Sequence, residues 1–160
     1  MGPPTPPGFF KMSNWISITL ATLHEAKVAA LIDACDSAAL ADGQANRSAG
    51  IIQGVVDHVR RKVASCRRNQ LDSDLTTIPK GLRDIAVDLI IARLKTAIEQ
   101  DLSQDERDNI ARRERDLNRV ANCDDVVDQP DNAVVAPMEP TVPPPAFGDK
   151  PHRRQNDVNG

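Results

Sequence analysis

Aromatic side chains are almost missing from this sequence, which has no tyrosine, one tryptophan and three phenylalanines among its 160 residues. Large rings supply much of the wall of a small-molecule pocket, so little is available to build an enclosed substrate site. The same scarcity argues against a sheet, because aromatic and β-branched enrichment marks strands. Proline is nearly absent from the middle of the chain: eleven of the 12 prolines fall in residues 1–7 or 130–151, leaving only Pro79 between. No run of about 18 apolar residues occurs, so no membrane span is expected. The opening MGPPTPPGFFKMSN lacks the charged leader and apolar run of a secretory signal. Positive charge is not in excess either; the net charge of −3 makes no bulk case for nucleic-acid binding. The three cysteines, Cys35, Cys66 and Cys123, are odd in number and widely spaced without a CxxC pair. That pattern predicts neither a disulfide framework nor a zinc site, and a reducing compartment is its simplest reading.

What remains is rich in Ala, Leu, Ile, Val, Arg and Asp, in long runs without glycine, and predicts helices packed by aliphatic side chains. Three parts follow: a Pro/Gly-rich N-terminal arm at 1–12, a helical domain at 13–128 large enough for one modest core, and a Pro-rich extended C-terminal arm at 129–160. The fold class is therefore all-α, a small bundle of four to five helices with an arm at each end.

Within the domain, Asn14 to Thr19 alternates and then stops at a helix cap. Thr19 is placed to cap one short helix, and Thr22 with Glu25 forms a T-x-x-E box for another start. An alanine-rich helix with Leu23, Ala26, Ala30, Leu31 and Ala34 at helical spacing runs towards Gly43, a natural left-handed cap; a break near Lys27 would divide it in two. The next helix opens near Asn46 or Ser48 and reaches about Cys66. Its stripe is Ile51, Ile52, Val55, Val56, Val59 and Val63, with Gln53, Asp57, Arg60 and Arg61 on the other side. These residues are β-branched, but their spacing is 3.6 rather than 2, so periodicity decides. Arg67 to Ile78 reads as a loop. Pro79 suits the first turn of a helix, and Leu82 to Leu94 is apolar on most sides, as expected of a helix in the middle of a bundle. Ser103-Gln104-Asp105-Glu106 is a capping box opening a last helix to about Asn122. Its stripe is thin (Ile110, Leu117, Val120, Ala121), which marks an edge helix or one that buries its second face against another subunit.

The arms cannot bury enough surface to fold alone. Their apolar points, Phe9 and Phe10 at one end and Val134, Val135, Met138, Val142 and Phe147 at the other, suit docking on a neighbouring surface. A plain disordered leader is the competing reading of residues 1–12.

No convergent catalytic set is legible. His24, His58 and His152 are separate, and no metalloprotease, phosphate-loop, nucleophile-elbow or calcium-loop motif occurs. Asp124, Asp125 and Asp128 read as solvated, and Cys35 as a small hydrophobe. No enzymatic activity and no cofactor are expected. The cluster Arg60-Arg61-Lys62, followed by Arg67-Arg68, complements a helix C-terminus. Its sharper reading is a positive patch for phosphates or an acidic partner, without base specificity.

The order of parts resembles that of the small helical head–tail connector proteins of tailed bacteriophages, of the Mu-like type, also called adaptor, neck or head-completion proteins. The resemblance runs over residues 14–122. It is carried by Trp15-Ile16-Ser17-Ile18-Thr19, the alanine-rich helix ending in Ala-Asp-Gly-Gln, the helix from Ile51 to Arg60, the Thr77-Ile78-Pro79 helix start, the helix Leu82–Leu94 and an Arg-rich last helix. It implies a virion structural protein made in the bacterial host cytoplasm and located at the head–tail junction. There it would form a ring of twelve copies on the portal protein, contact the next neck or tail-completion protein and continue the DNA channel, with no membrane partner. On this reading Phe9, Phe10, Trp15, Val134, Val135, Met138 and Phe147 are partner contacts. Arg60, Arg61, Lys62, Arg67 and Arg68 would face packaged DNA nonspecifically. The long Pro-rich arms depart from the family's usual outline. A second reading, from another class, is a DNA-binding packaging or regulatory protein that uses the valine-rich helix and its basic end.

Overall fold

The computed structural model describes residues 13–25, 28–38 and 47–134. In chain order these form β1 (Trp15–Ser17), α1 (Leu20–Glu25), α2 (Ala29–Ser37), α3 (Arg47–Ser65), β2 (Thr77–Pro79), α4 (Arg83–Ala97) and α5 (Gln104–Ala121), with a 3-10 turn at Lys80–Leu82 leading into α4. The fold is all-α apart from one two-stranded antiparallel ribbon, in which Trp15, Ile16 and Ser17 face Pro79, Ile78 and Thr77. No described helix is long and apolar enough to cross a membrane.

Side-chain pairs fix the helix directions. His58, Lys62 and Cys66 meet Glu114, Asn118 and Cys123 in that order, so α3 and α5 run parallel. Lys95 pairs with Glu106, whereas Asp88, two turns earlier in α4, accepts from Asn109 and Arg113, later in α5. That reversal makes α4 antiparallel to α5, and hence to α3. α4 also packs against α2 and α3, the central position that its all-round apolar surface predicts. The core between these helices is one aliphatic cluster, in which Val55, Val59 and Val63 of α3, Ala86, Ile90 and Leu94 of α4 and Leu117 of α5 have no exposed surface. Of the predicted α3 stripe, Ile51 and Ile52 are only half-buried.

The helix ends show local chemistry at work. Thr19 caps α1 by accepting from the Thr22 N–H at 3.4 Å, so Thr22 lies inside that helix and its own T-x-x-E box does not open a second one. α1 ends at Glu25 and α2 begins at Ala29, so the alanine-rich stretch is divided; the predicted cap Gly43 lies outside the described residues. Asp36 of α2 accepts from both the N–H and the hydroxyl of Ser48, at 2.9 and 2.8 Å, placing a carboxylate at the positive end of α3. At α5 the predicted capping box is formed in full, with Ser103 Oγ accepting from Glu106 N–H and Glu106 accepting from Ser103 N–H. Both α4 and α5 end in a Schellman motif without glycine. Glu99 and Cys123 take the left-handed position, at φ 57° and 66°, while Gln100 N–H returns to Lys95 O and Asp124 N–H to Arg119 O, both at 2.9 Å.

Three expectations are corrected. The stretch read as loop to Ile78 contains β2, whose strand partner is supplied by the Trp15 segment. Pro79 sits in that strand rather than in the first turn of a helix; a two-stranded ribbon leaves β2 a free edge, where a missing N–H costs nothing. Cys66 and Cys123 form a disulfide, with Cα atoms 5.2 Å apart across 57 residues of sequence, and Cys35 is the buried free thiol. The parallel α3–α5 pair brings together two cysteines whose sequence spacing gave no sign of pairing.

Closing a loop of that size restricts the unfolded chain and typically stabilises a domain by about 2–4 kcal/mol. Urea unfolding in the presence of a phosphine reductant, or of the Cys66→Ser variant, is expected to show a loss in that range; identical midpoints with and without reductant would contradict the cross-link.

Candidate functional site

The basic cluster that ends α3 divides into two environments. Arg60 is turned inward and only 6 % exposed, so it is neither on the polar side of α3 nor available to a DNA channel. Its guanidinium donates to the backbone carbonyls of Asp72, Asp74 and Thr77 at 2.8, 2.9 and 2.7 Å, and it stacks 5.4 Å from the centroid of the Trp15 ring. Burial lowers its pKa, opposed by the carboxylates of Asp72, Asp74 and Asp57, but a guanidinium stays charged at any ordinary pH. The segment 72–77 turns back on itself and points three carbonyls at one place. A planar fork of donors satisfies all three.

Trp15 is turned inward as well. It is 2 % exposed and its indole N–H donates to Asp128 O at 2.8 Å. Enclosed by its own chain, it presents no surface to a partner. The reason is positional: pairing with Pro79 lays the ring over Arg60, and the indole's one donor finds the segment that follows α5.

That segment, residues 124–134, runs back across the body as a strap. Val127 is buried, and Gln129 Oε1 accepts from Gln70 N–H at 3.0 Å. Ser73 N–H donates to Asn132 O and Val134 N–H to Leu71 O, both at 2.9 Å, around a bridge between Asp72 and Ala133. The first residues of the predicted C-terminal arm are thus paired to the loop that Arg60 organises. Val134, at the end of this pairing, is 55 % exposed. Phe9, Phe10, Val135, Met138 and Phe147 lie outside the described residues.

The remaining basic residues do face outward. Arg61, Arg67 and Arg68 are exposed, and Lys62 is half-buried with its ammonium on Asn118 Oδ1. Two negative helix ends meet here, because α3 and α5 are parallel, and the cations complement both. The valine-rich helix packs against α2, α4, α5 and β2 and keeps Ala49, Gly50, Asp57, Arg61 and Ala64 exposed.

Two hollows flank this region. One, of about 480 Å³, runs along α3 beside Gly54, Asp57, Arg61, Ala64 and Leu71. The other, of about 350 Å³, lies between the start of α4, the end of α5 and the strap. Neither brings a nucleophile and a base together. His58 Nε2 lies 3.0 Å from Glu114 Oε1 between α3 and α5, a contact the sequence did not reveal. Burial pushes the Cys35 thiol up, away from the reactive thiolate. Among the described residues no group of three His, Cys, Asp or Glu is arranged to hold a metal ion.

No protein-family model matches the chain, and neither curated proteins nor solved structures yield a match.

Two predictions follow from the Arg60 clamp and its surroundings. Arg60→Met removes a charged donor and leaves three inward carbonyls to find new partners, a loss of about 3 kcal/mol on urea unfolding. Arg61→Ala, one residue away but exposed, changes stability by no more than about 0.5 kcal/mol. Equal effects would refute the division between them. The second concerns acid. Thr76, through its N–H and hydroxyl, holds the Asp74 carboxyl below the usual carboxylate range, and Lys95 with the Ser103 N–H does the same for Glu106. A carboxylate with a depressed folded pKa adds stability that is fully present above the unfolded pKa and lost as pH falls through the folded one. Stability should therefore decline below about pH 4. Replacing both residues, as Asp74→Ala with Glu106→Gln, should make the curve between pH 5 and about pH 3 shallower; an unchanged slope would remove these carboxylates from the account.

Proposed function

We propose that the protein is a virion structural protein, a head–tail connector that forms a ring of copies on the portal and continues the DNA channel towards the tail. The observation that carries this reading is the root of the C-terminal arm. The strap and the 71–73 pairing hold the chain to the body up to Val134, so a Pro-rich segment with Val135, Met138, Val142 and Phe147 leaves from one defined point. An arm launched from a fixed point loses less entropy on docking than one that begins in a floppy linker, and many weak contacts of this kind add up around a closed ring. The resemblance in the order of parts over residues 14–122 supports the same reading.

Arg61, Arg67 and Arg68 supply exposed positive charge at the end of the bundle, suited to nonspecific contact with phosphates. Arg60 drops out of that set. The disulfide is compatible with this role: a protein made in the reducing host cytoplasm meets oxidising surroundings once particles are released, and cross-links persist on virion surfaces.

The test is assembly. Native mass spectrometry of the purified full chain, alone and with the portal protein of the same phage, is expected to give a portal-bound ring. Truncation after Val134 is expected to abolish the ring while leaving the circular-dichroism spectrum helical. A full chain that stays monomeric and ignores the portal at every concentration would overturn the proposal, and retention of duplex DNA by that monomer would favour a DNA-binding role instead.

A further inference from the structure

We infer that the hollow between α4, α5 and the strap is a docking site for the chain's own N-terminal segment, Phe9-Phe10-Lys11. The inference is independent of the connector reading. The floor of this hollow is apolar, made by Leu82 and Ile85 at the start of α4 and Val120 at the end of α5. At its edge stands Val126, 84 % exposed, a large aliphatic side chain that nothing described covers. The rest of the lining is acidic, with Asp116, Asp125 and Asp128; among the described residues, Asp125 alone of these has a cationic partner, Arg119, at 3.0 Å. A ligand that fits pairs apolar bulk with positive charge.

The chain supplies that chemistry at the right place. Asn14 O accepts from Lys80 N–H at 2.9 Å, and Asn14 Nδ2 donates to Gln129 O at 3.4 Å. Lys80 lies between Pro79 and Gly81, both of which line the hollow, and Gln129 follows Asp128 at its other side. Residue 13 therefore starts at the rim. Phe10 is three residues upstream and cannot be more than about 11 Å from it along an extended chain, so its ring has few surfaces within reach. Phe9 and Phe10 are two of the four aromatic residues in the protein, and Lys11 is the one charged residue in the first 12. So short a tether gives an effective concentration on the order of mM, which favours the chain's own hollow over that of a second copy.

The experiment is NMR on the full-length chain with labelled Phe rings and Val and Leu methyl groups, at low concentration. Contacts between a Phe9 or Phe10 ring and Val120 or Val126 methyls are expected, and they should persist unchanged on dilution. Amide exchange across residues 79–85 and 124–128 is expected to become about tenfold faster in the Phe9→Ala/Phe10→Ala double variant. The same increase is expected in Val126→Asp, which alters the hollow at an exposed position and leaves the fold intact. Exchange that is identical in all three proteins would overturn the inference, as would ring contacts that appear only between differently labelled chains.

Discussion

The non-helical half of this protein depends on one buried cation. Arg60 stands more than a turn before the end of α3 and gathers the carbonyls of Asp72, Asp74 and Thr77. That shapes the loop so that β2 can pair with the Trp15 segment, and Trp15 lies over the same guanidinium. The indole then holds the strap through Asp128 O, and the strap pairs with the loop at residues 71–73. Each piece is too short to be stable alone: three-residue strands and a segment without secondary structure gain little from local interactions. Packed around a charge that must be satisfied, they become mutually dependent, because an unpaired buried guanidinium would cost more than any of them contributes separately.

The helical half rests on a different principle. With no Phe, Tyr or Trp between Trp15 and Phe147, the core is filled by Val, Leu, Ile and Ala. Such side chains interdigitate closely but individually bury little area. Tight ends compensate. The capping box at Ser103, the Asp36 carboxylate at the start of α3 and the Schellman turns after α4 and α5 satisfy backbone groups that a small bundle cannot leave exposed to competition with water. Cys123 takes a left-handed conformation that usually goes to glycine, and its disulfide holds it there.

The helices were legible because their information is local and periodic. The stripe in α3, the all-round apolar α4 and the Ser103 box each occupy a single window of sequence, and each appears where expected. The site was less legible, for a consistent reason: its determinants are partners far apart in the chain. Arg60 sits in a run of positive residues and looks like its neighbours; only the carbonyls of a loop 12 to 17 residues later turn it inward. Trp15-Ile16-Ser17 alternates, but a strand needs a partner, and Thr77-Ile78-Pro79 reads equally well as a helix start. Cys66 and Cys123 meet because α3 and α5 are parallel, a property of the topology that no spacing encodes. An arginine spaced with Val56 and Val63 of the apolar stripe, followed by a polar loop holding Asp72 and Asp74, is the signal from which an inward clamp could have been read.

The cross-link also sets how the molecule carries mechanical load. A pull on the C-terminal arm would first peel the pairing between residues 132–134 and 71–73 and then unwind the strap as far as Cys123. Beyond that point the tension passes through sulfur into Cys66 and along α3, bypassing α4 and α5. Residues 67–122, between the two cysteines, are shielded from stretching, so the strap acts as the yielding element while the bundle keeps its shape.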